Sequence, residues 1–272
     1  VIAKLPNEVR QIINSDAEVV NKLGSNAMGN YLYVYKGVYA TDEDVPVNPL
    51  TGERLRMGGN TSTQAYFKAG DPIWVDVNGD YIIDEKDKVI VGNSQPRMTG
   101  GISINLRYKA FSINTNCSFT LRRDIINKAL ADRFRAYGTP VAGKVNLTGS
   151  GALTPIEAYN FWTEDNIYAQ YPNPFDYTRS SIIQPFRYDQ TLFMEDGSYF
   201  KINGISVAYT IPKKMLDFFR ISRCQLNFSM NNIYTFSKYS GINPENVNNL
   251  GYDTSGGYPN GRTVTFGVSM DF

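Results

Sequence analysis

The sequence predicts an all-β chain built on antiparallel strands that each carry one greasy and one wet face. Three observations predict it. Over Thr99–Leu121 apolar residues fall at Ile102, Ile104, Leu106 and Tyr108. They recur at Phe111, Ile113, Thr115, Cys117, Phe119 and Leu121, with Ser, Asn, Arg or Thr between; a period of two is the period of a strand. The 272 residues include 19 Tyr, 15 Phe and 23 Gly, a composition that favours antiparallel strands joined by long turns. Finally, RTVTFGVSMDF sets Val264, Phe266, Val268, Met270 and Phe272 on one face and keeps its alternation to the last residue, whereas chain ends of soluble domains usually fray.

In Thr99–Leu121 the phase changes only at Lys109 and Ala110. A two-residue turn there sets Tyr108 opposite Phe111, Leu106 opposite Ile113 and Ile104 opposite Thr115, so the apolar side chains share a face. Ser103, Asn105, Arg107, Ser112, Asn114 and Asn116 occupy the other. Either a soluble sheet with its greasy side inward or a barrel strand with its greasy side in lipid produces such a hairpin. Phe111–Leu121 has the roughly 9 to 11 residues that a tilted membrane strand needs.

Elsewhere the elements are shorter. Residues 1–25 carry at most one helical turn after Asn7. Tyr31, Tyr33 and Tyr35 alternate with Leu32, Val34 and Lys36, which predicts a strand with its rings on one face. Residues 41–70 read as exposed loop, rich in Pro, Gly, Asn and Thr. Residues 122–197 form a long polar and aromatic stretch that opens on a short helix within RRDIINKALADRFRAYG; loops of such length are usually functional. In 198–211 the apolar beat slips between Ile202 and Ile205, predicting a β-bulge at Asn203 or Gly204. Pro212 ends that strand. A connector leads to a strand over 223–236, then a polar stretch over 237–261 precedes the final strand.

Composition excludes several functions. The net charge of +1 leaves no electrostatic footprint for nucleic acid. The absence of His removes the usual general base, the commonest zinc ligand and every His-dependent triad, so an enzyme is not expected. Carboxylate chemistry by Asp76, Asp80 and Asp84 is the weakest of the alternatives. Cys117 and Cys224 sit on apolar beats of different strands and read as small hydrophobes. No apolar run is long enough for a membrane helix.

Two sets of candidate site residues stand out. Asp76, Asn78, Asp80, Asp84 and Asp87, with the backbone carbonyl of Ile82, hold positions one, three, five, nine, twelve and seven of an EF-hand-like calcium loop. Calcium is therefore the candidate cofactor. Tyr81 stands at the sixth position, where such loops bend through Gly, and a left-handed backbone there costs about 1 to 2 kcal/mol. The other reading is an Asx-rich turn that caps itself. The second set, Trp162, Tyr168, Tyr171, Tyr177 and Tyr188, suits stacking on sugars or contact with peptides, or else packs the long loop on itself.

Four segments carry a resemblance: GDPIWVDVNGDYIIDEKDKVIVGNSQPRMTGGISINLRYKAF, MEDGSYFKINGISVAYTIPKKML, LNFSMNNIYTFSKYSG with NPE after it, and YPNGRTVTFGVSMDF. In this order they resemble the carboxy-terminal part of a SusC-like TonB-dependent transporter of Bacteroidota, over about residues 29–272. The resemblance implies strands of a 22-stranded outer-membrane barrel with an internal plug. It implies as partners a SusD-like surface lipoprotein, TonB acting through the plug, the amino-terminal remainder of the transporter, and a glycan or peptide substrate. Phe272 matches the family's barrel-assembly signal, while Tyr81 departs from the family's usual Gly. The chain is then roughly the last quarter of a transporter. Residues 1–98 form an extracellular loop region, and residues 99–272 supply membrane strands with long surface loops. The short connections at 109–110 and 212–222 face the periplasm, and 122–197 and 237–261 face outside. The alternative is a secreted, calcium-stabilised β-sandwich that binds carbohydrate.

Overall fold

The computed structural model describes residues 29–58, 65–137, 140–141, 144–145, 158–176, 178–216, 221–253 and 261–272. The expected turn after Asn7, part of the loop predicted over 41–70, and Tyr177 lie outside the described residues.

In chain order the strands are β1 (Asn30–Leu32), β2 (Tyr35–Val38), β3 (Arg56–Met57), β4 (Pro72–Trp74), β5 (Ile82–Ile83), β6 (Val89–Val91), β7 (Met98–Tyr108), β8 (Phe111–Leu121), β9 (Asp124–Ile126), β10 (Pro140–Val141), β11 (Lys144–Val145), β12 (Met194–Asp196), β13 (Tyr199–Thr210), β14 (Arg223–Ser237) and β15 (Thr263–Asp271). The α-helices are α1 (Lys128–Tyr137), α2 (Arg179–Ile182) and α3 (Lys213–Leu216). No described helix is long and apolar enough to cross a membrane. The chain divides into two compact units. The first comprises Val1–Gln95, Ile125–Met194 and Val247–Ser255; the second comprises Pro96–Asp124, Glu195–Asn246 and Gly256–Phe272.

The second unit is one antiparallel meander in the order β7-β8-β13-β14-β15. Its hairpin register pairs Tyr108 with Phe111, Leu106 with Ile113 and Ile104 with Thr115, the register that the two-residue turn requires, and Lys109 takes φ 51° in that turn. Against β8, the register of β13 jumps from Ile202↔Cys117 to Gly204↔Asn116, leaving Asn203 as the extra residue. Against β14 the jump spans Asn232 and Ile233, with Asn232 at φ 53°. A Cβ on Gly204 would stand 2.8 Å from Asn231 Oδ1 and 3.3 Å from the Met230 carbonyl oxygen, so a side chain here would crowd the bulge and push Asn231 aside.

The bulge keeps the greasy face continuous. Phe200, Ile202, Ile205 and Val207 lie opposite Phe119, Cys117, Thr115 and Ile113 on one side. On the other side they lie opposite Phe236, Tyr234, Met230 and Phe228. Val264, Phe266, Val268 and Met270 extend the face across β15. Among the described residues nothing covers it: Ile104, Ile113, Phe228 and Phe266 are all exposed, Phe266 to 68%. Cys117 and Cys224 are free thiols on strands that flank β13.

The first unit is built from short strand pairs, turns and α1 around two aromatic cores. The single strand expected from Tyr31 is broken: β1 pairs with β6, β2 pairs with β4, and Tyr31, Leu32 and Tyr33 are all buried. Burial on both faces overrides the alternation. The loop expected over 41–70 contributes Val45, Leu55, Ala65 and Phe67 to the interior. Helix α1 begins only at Lys128, because residues 124–126 are extended.

Candidate functional site

The sheet offers two chemically distinct surfaces. Its polar face carries Asn105, Arg107, Ser112, Asn114, Ser206, Asn227 and Ser229, which together with the intervening Leu106, Ile113, Val207, Ala208 and Phe228 line a depression of about 440 Å³. Across that face Ser103 Oγ donates to Asn116 Oδ1 at 2.9 Å. The greasy face is bounded by aromatic residues at both ends. Phe111 and Tyr209 meet at 4.6 Å between centroids near the short turn; Tyr234 and Phe236 meet at 4.6 Å, and Phe200 and Phe236 at 6.3 Å, near the long loops. The step from Phe200 to Tyr209 spans about 30 Å at roughly 3.3 Å per residue. On a strand tilted by about 40° it rises about 23 Å, close to the ~25 Å apolar band of a membrane barrel.

The aromatic residues singled out in the long loop separate into different roles. Trp162 is buried; its indole Nε1 donates to the Ala40 carbonyl oxygen at 3.3 Å. Gly70, at φ +84°, allows the indole to lie against the backbone, since a Cβ there would stand 2.8 Å from the ring. Tyr171 joins a cluster centred on Phe134, which also meets Tyr159, Phe161, Phe186 and Phe193 at centroid distances of 4.8 to 6.0 Å. Tyr188 meets Tyr252 edge-on at 5.7 Å and lies under Lys128 Nζ at 4.4 Å. Tyr168 is 85% exposed. Of the four described candidates it is the most exposed; Trp162 is buried against the 40–70 segment, and Tyr171 and Tyr188 are half-buried against the Phe134 cluster and Tyr252.

In the Asp76–Asp87 loop the side-chain oxygens accept backbone N–H groups. Asp76 accepts from Gly79 at 2.7 Å and from Tyr81 at 2.8 Å. Asn78 accepts from Asp80 at 3.0 Å, and Asp80 from Ile82 at 2.9 Å. Asp84 accepts from Lys86, and Asp87 from Val77 and Asp84, at 2.8 to 2.9 Å. Tyr81 takes φ 62°, the left-handed bend that the sixth position of a calcium loop demands, without the glycine. Among the described residues no three or more Asp, Glu, Cys or His side chains are grouped so as to hold a metal ion. Each carboxylate retains lone pairs beyond these bonds, so the donor set suits a hard cation chemically.

Sequence reasoning missed a buried charge cluster in the first unit. Lys88, 2% exposed, pairs with Glu85 at 2.7 Å and with Asp189 at 2.8 Å. Its Nζ also lies 5.1 Å from the Tyr33 ring centroid. Arg187 bonds Asp189 through both Nε and Nη2 and stacks 4.5 Å from the same ring. Burial works to raise the Asp189 carboxyl, but the hydrogen bonds and charge of Arg187, then Lys88, outweigh it and hold it below the usual carboxylate range. A second buried pair joins Arg179 Nε to Asp71 Oδ1 at 3.0 Å. The bonds from Lys88 to Asp189 and from Arg179 to Asp71 join distant parts of the chain, so no local pattern signals them.

No family model matches the chain. It is 28% identical over 257 residues to the TonB-dependent receptor P3 of Formosa agariphila, covering 89% of this chain and 22% of that protein. It is 23% identical over 270 residues to the TonB-dependent receptor SusC of Bacteroides thetaiotaomicron, covering 92% of this chain and 24% of SusC. A solved structure of the RagAB peptide transporter matches 96% of this chain with a TM-score of 0.64 at 17% identity, over 24% of that chain. The RagAB importer in its open-open state matches at a TM-score of 0.59. The likeness in sequence is to SusC-like TonB-dependent receptors, and that in structure is one of fold. The chain spans about a quarter, or slightly less, of the length of these relatives.

Proposed function

We propose that this chain, a relative of the SusC-like TonB-dependent receptors, is the carboxy-terminal part of an outer-membrane transporter that imports oligosaccharides or peptides. In this reading β7, β8, β13, β14 and β15 are consecutive wall strands of a large closed barrel, of 22 strands by the resemblance. The observation that carries it is the uncovered greasy face, of bilayer height and rimmed by aromatic residues, behind a polar face that turns to the lumen. Both edges of the sheet, β7 and β15, lack a further strand among the described residues. Open edges invite pairing, so the remainder of the transporter is the natural neighbour. The chain's own work is binding and gating, without bond chemistry; energy from TonB enters through the plug.

The short connections at 109–110 and 212–222 then face the periplasm, and the long ones face outside, where a SusD-like lipoprotein caps the barrel. The exposure of Tyr168 supports it as the side chain that touches substrate or lid. The fold likeness to a peptide importer leaves both substrate classes open. Competitive uptake of labelled peptides and oligosaccharides by cells carrying the complete transporter separates them. Uptake of neither class would contradict the import reading. A soluble sandwich would need a second sheet over the greasy face, and none covers it among the described residues.

The Asp76–Asp87 loop is proposed to close on calcium by turning Asp76, Asn78, Asp80, Asp84, Asp87 and the Ile82 carbonyl inward. The bend at Tyr81 supports this reading. Added calcium should raise the thermal stability of the wild type but not of Asp80→Ala, and an unchanged melting temperature in the wild type would leave the loop a self-capped turn.

A further inference from the structure

Where β14 ends, residues 239–245 turn back over the polar face of the sheet and are held at three places. Ser240 donates through both its backbone N–H and its Oγ to the Glu195 carboxylate at 2.7 Å. Arg123 donates through Nη2 to the Pro244 carbonyl oxygen. Lys201 pairs with Glu245. Lys201 stands between Phe200 and Ile202 and opposite Thr235, so its side chain leaves β13 on the polar face, and it is buried there. Within the segment, Gly241 lies against the Tyr239 ring, which occupies the space that a Cβ would take. Asn243 Oδ1 accepts from the Glu245 N–H at 2.9 Å. Between the segment and the strands a cavity of about 260 Å³ remains. Lys201, Thr235 and Ser237 line it from the sheet, and Tyr239, Asn243 and Pro244 from the segment.

We propose that residues 239–245 form a latched strap. Folded into the lumen, they narrow the outer mouth of the barrel, and release of the Lys201–Glu245 pair lets them swing out. The inference rests on the barrel reading, which turns the polar face to the lumen and the long connections outward. Two features favour a releasable strap over a fixed part of the wall. Its anchors are hydrogen bonds and one ion pair, and such bonds exchange for bonds to water at small net cost. Opening returns both members of the pair to water together, so neither charge is left buried alone. The cavity, in turn, leaves the segment resting on these anchors rather than on a filled core, where close packing would resist opening. Segments held in this way belong to the low-stability end of a structure and open locally.

The test uses the complete transporter in a cysteine-free background, labelled with a bulky water-soluble maleimide. Thr235→Cys reports from the cavity, and Lys238→Cys, at an exposed position beside the strap, is the reference. Thr235→Cys should label more slowly than the reference. Adding Glu245→Gln should speed it several-fold and leave the reference rate unchanged. Gly241→Ala, which drives the Tyr239 ring from its place without touching the ion pair, should do the same. Fast labelling of Thr235→Cys from the start, or no acceleration by Glu245→Gln, overturns the proposal. An effect of Gly241→Ala alone overturns it too, because the segment is then a self-packed loop without a charge latch. Heat-modifiable gel mobility of every variant is read in parallel, and the two substitutions act at different points, so either one that keeps the shift decides the matter. A mobility shift throughout with unchanged Thr235→Cys rates sinks the strap alone, whereas no shift in the parent protein sinks the barrel reading itself.

Discussion

Lys88 and Asp189 show how much a single side chain can hold in the first unit. Removing one partner of a buried ion pair leaves the other charge uncompensated, at a cost of about 3 to 5 kcal/mol. Lys88→Met should therefore speed limited proteolysis of the first unit, and an unchanged digestion rate would deny the cluster its structural role. The depressed carboxyl of Asp189 fixes the sign of the pH response. Its stabilisation is present above the ordinary carboxylate value of 3.8 and is lost as pH falls through the lower folded value. Protease resistance should hold from neutral pH to about 4 and decline below it, and Asp189→Asn should flatten that decline. Tyr168 and Tyr171 separate function from packing: Tyr168→Ala should weaken substrate uptake with stability unchanged, while Tyr171→Ala should destabilise by about 2 to 4 kcal/mol, as large-to-small changes in a core do.

At the scale of elements, the long strands were legible and the first unit was not. Alternation in Thr99–Leu121 and the phase slip near Asn203 specify register and bulge because a side-chain period of two allows one pairing that keeps all apolar groups together. Tyr31–Ala40 has similar alternation, but Tyr31, Leu32 and Tyr33 are buried one after another and the run is broken between two partners, so local period did not reveal its pairing. The calcium-like spacing of Asp76 to Asp87 identified a tight turn correctly; whether those oxygens serve an ion or their own backbone depends on side-chain aim, which spacing does not encode. The two faces of β8 give an element-scale prediction. In the barrel reading Ile113→Lys on the lipid side, two residues inside the aromatic rim, should cost about 1 to 2 kcal/mol, between the interfacial and midplane values, whereas Asn114→Lys on the lumen side should leave assembly intact. Comparable loss from both, measured as heat-modifiable mobility, would erase the distinction between faces. Gly204→Val should also hinder assembly, since its new Cβ meets Asn231 and the Met230 carbonyl.

For the whole molecule, everything turns on what the uncovered greasy sheet meets. The direct measurement places single spin labels at Ile104, Ile113, Phe228 and Phe266, and at Asn105, Asn114, Asn227 and Thr265, in the complete transporter with Cys117 and Cys224 replaced by Ser. Accessibility to oxygen, which concentrates in hydrocarbon, is compared with accessibility to a water-soluble nickel chelate. The barrel account predicts that the first four positions collide with oxygen and the second four with nickel, strand by strand. Low accessibility of the first four to both reagents would mean that they meet in a dry protein interior, and would contradict it.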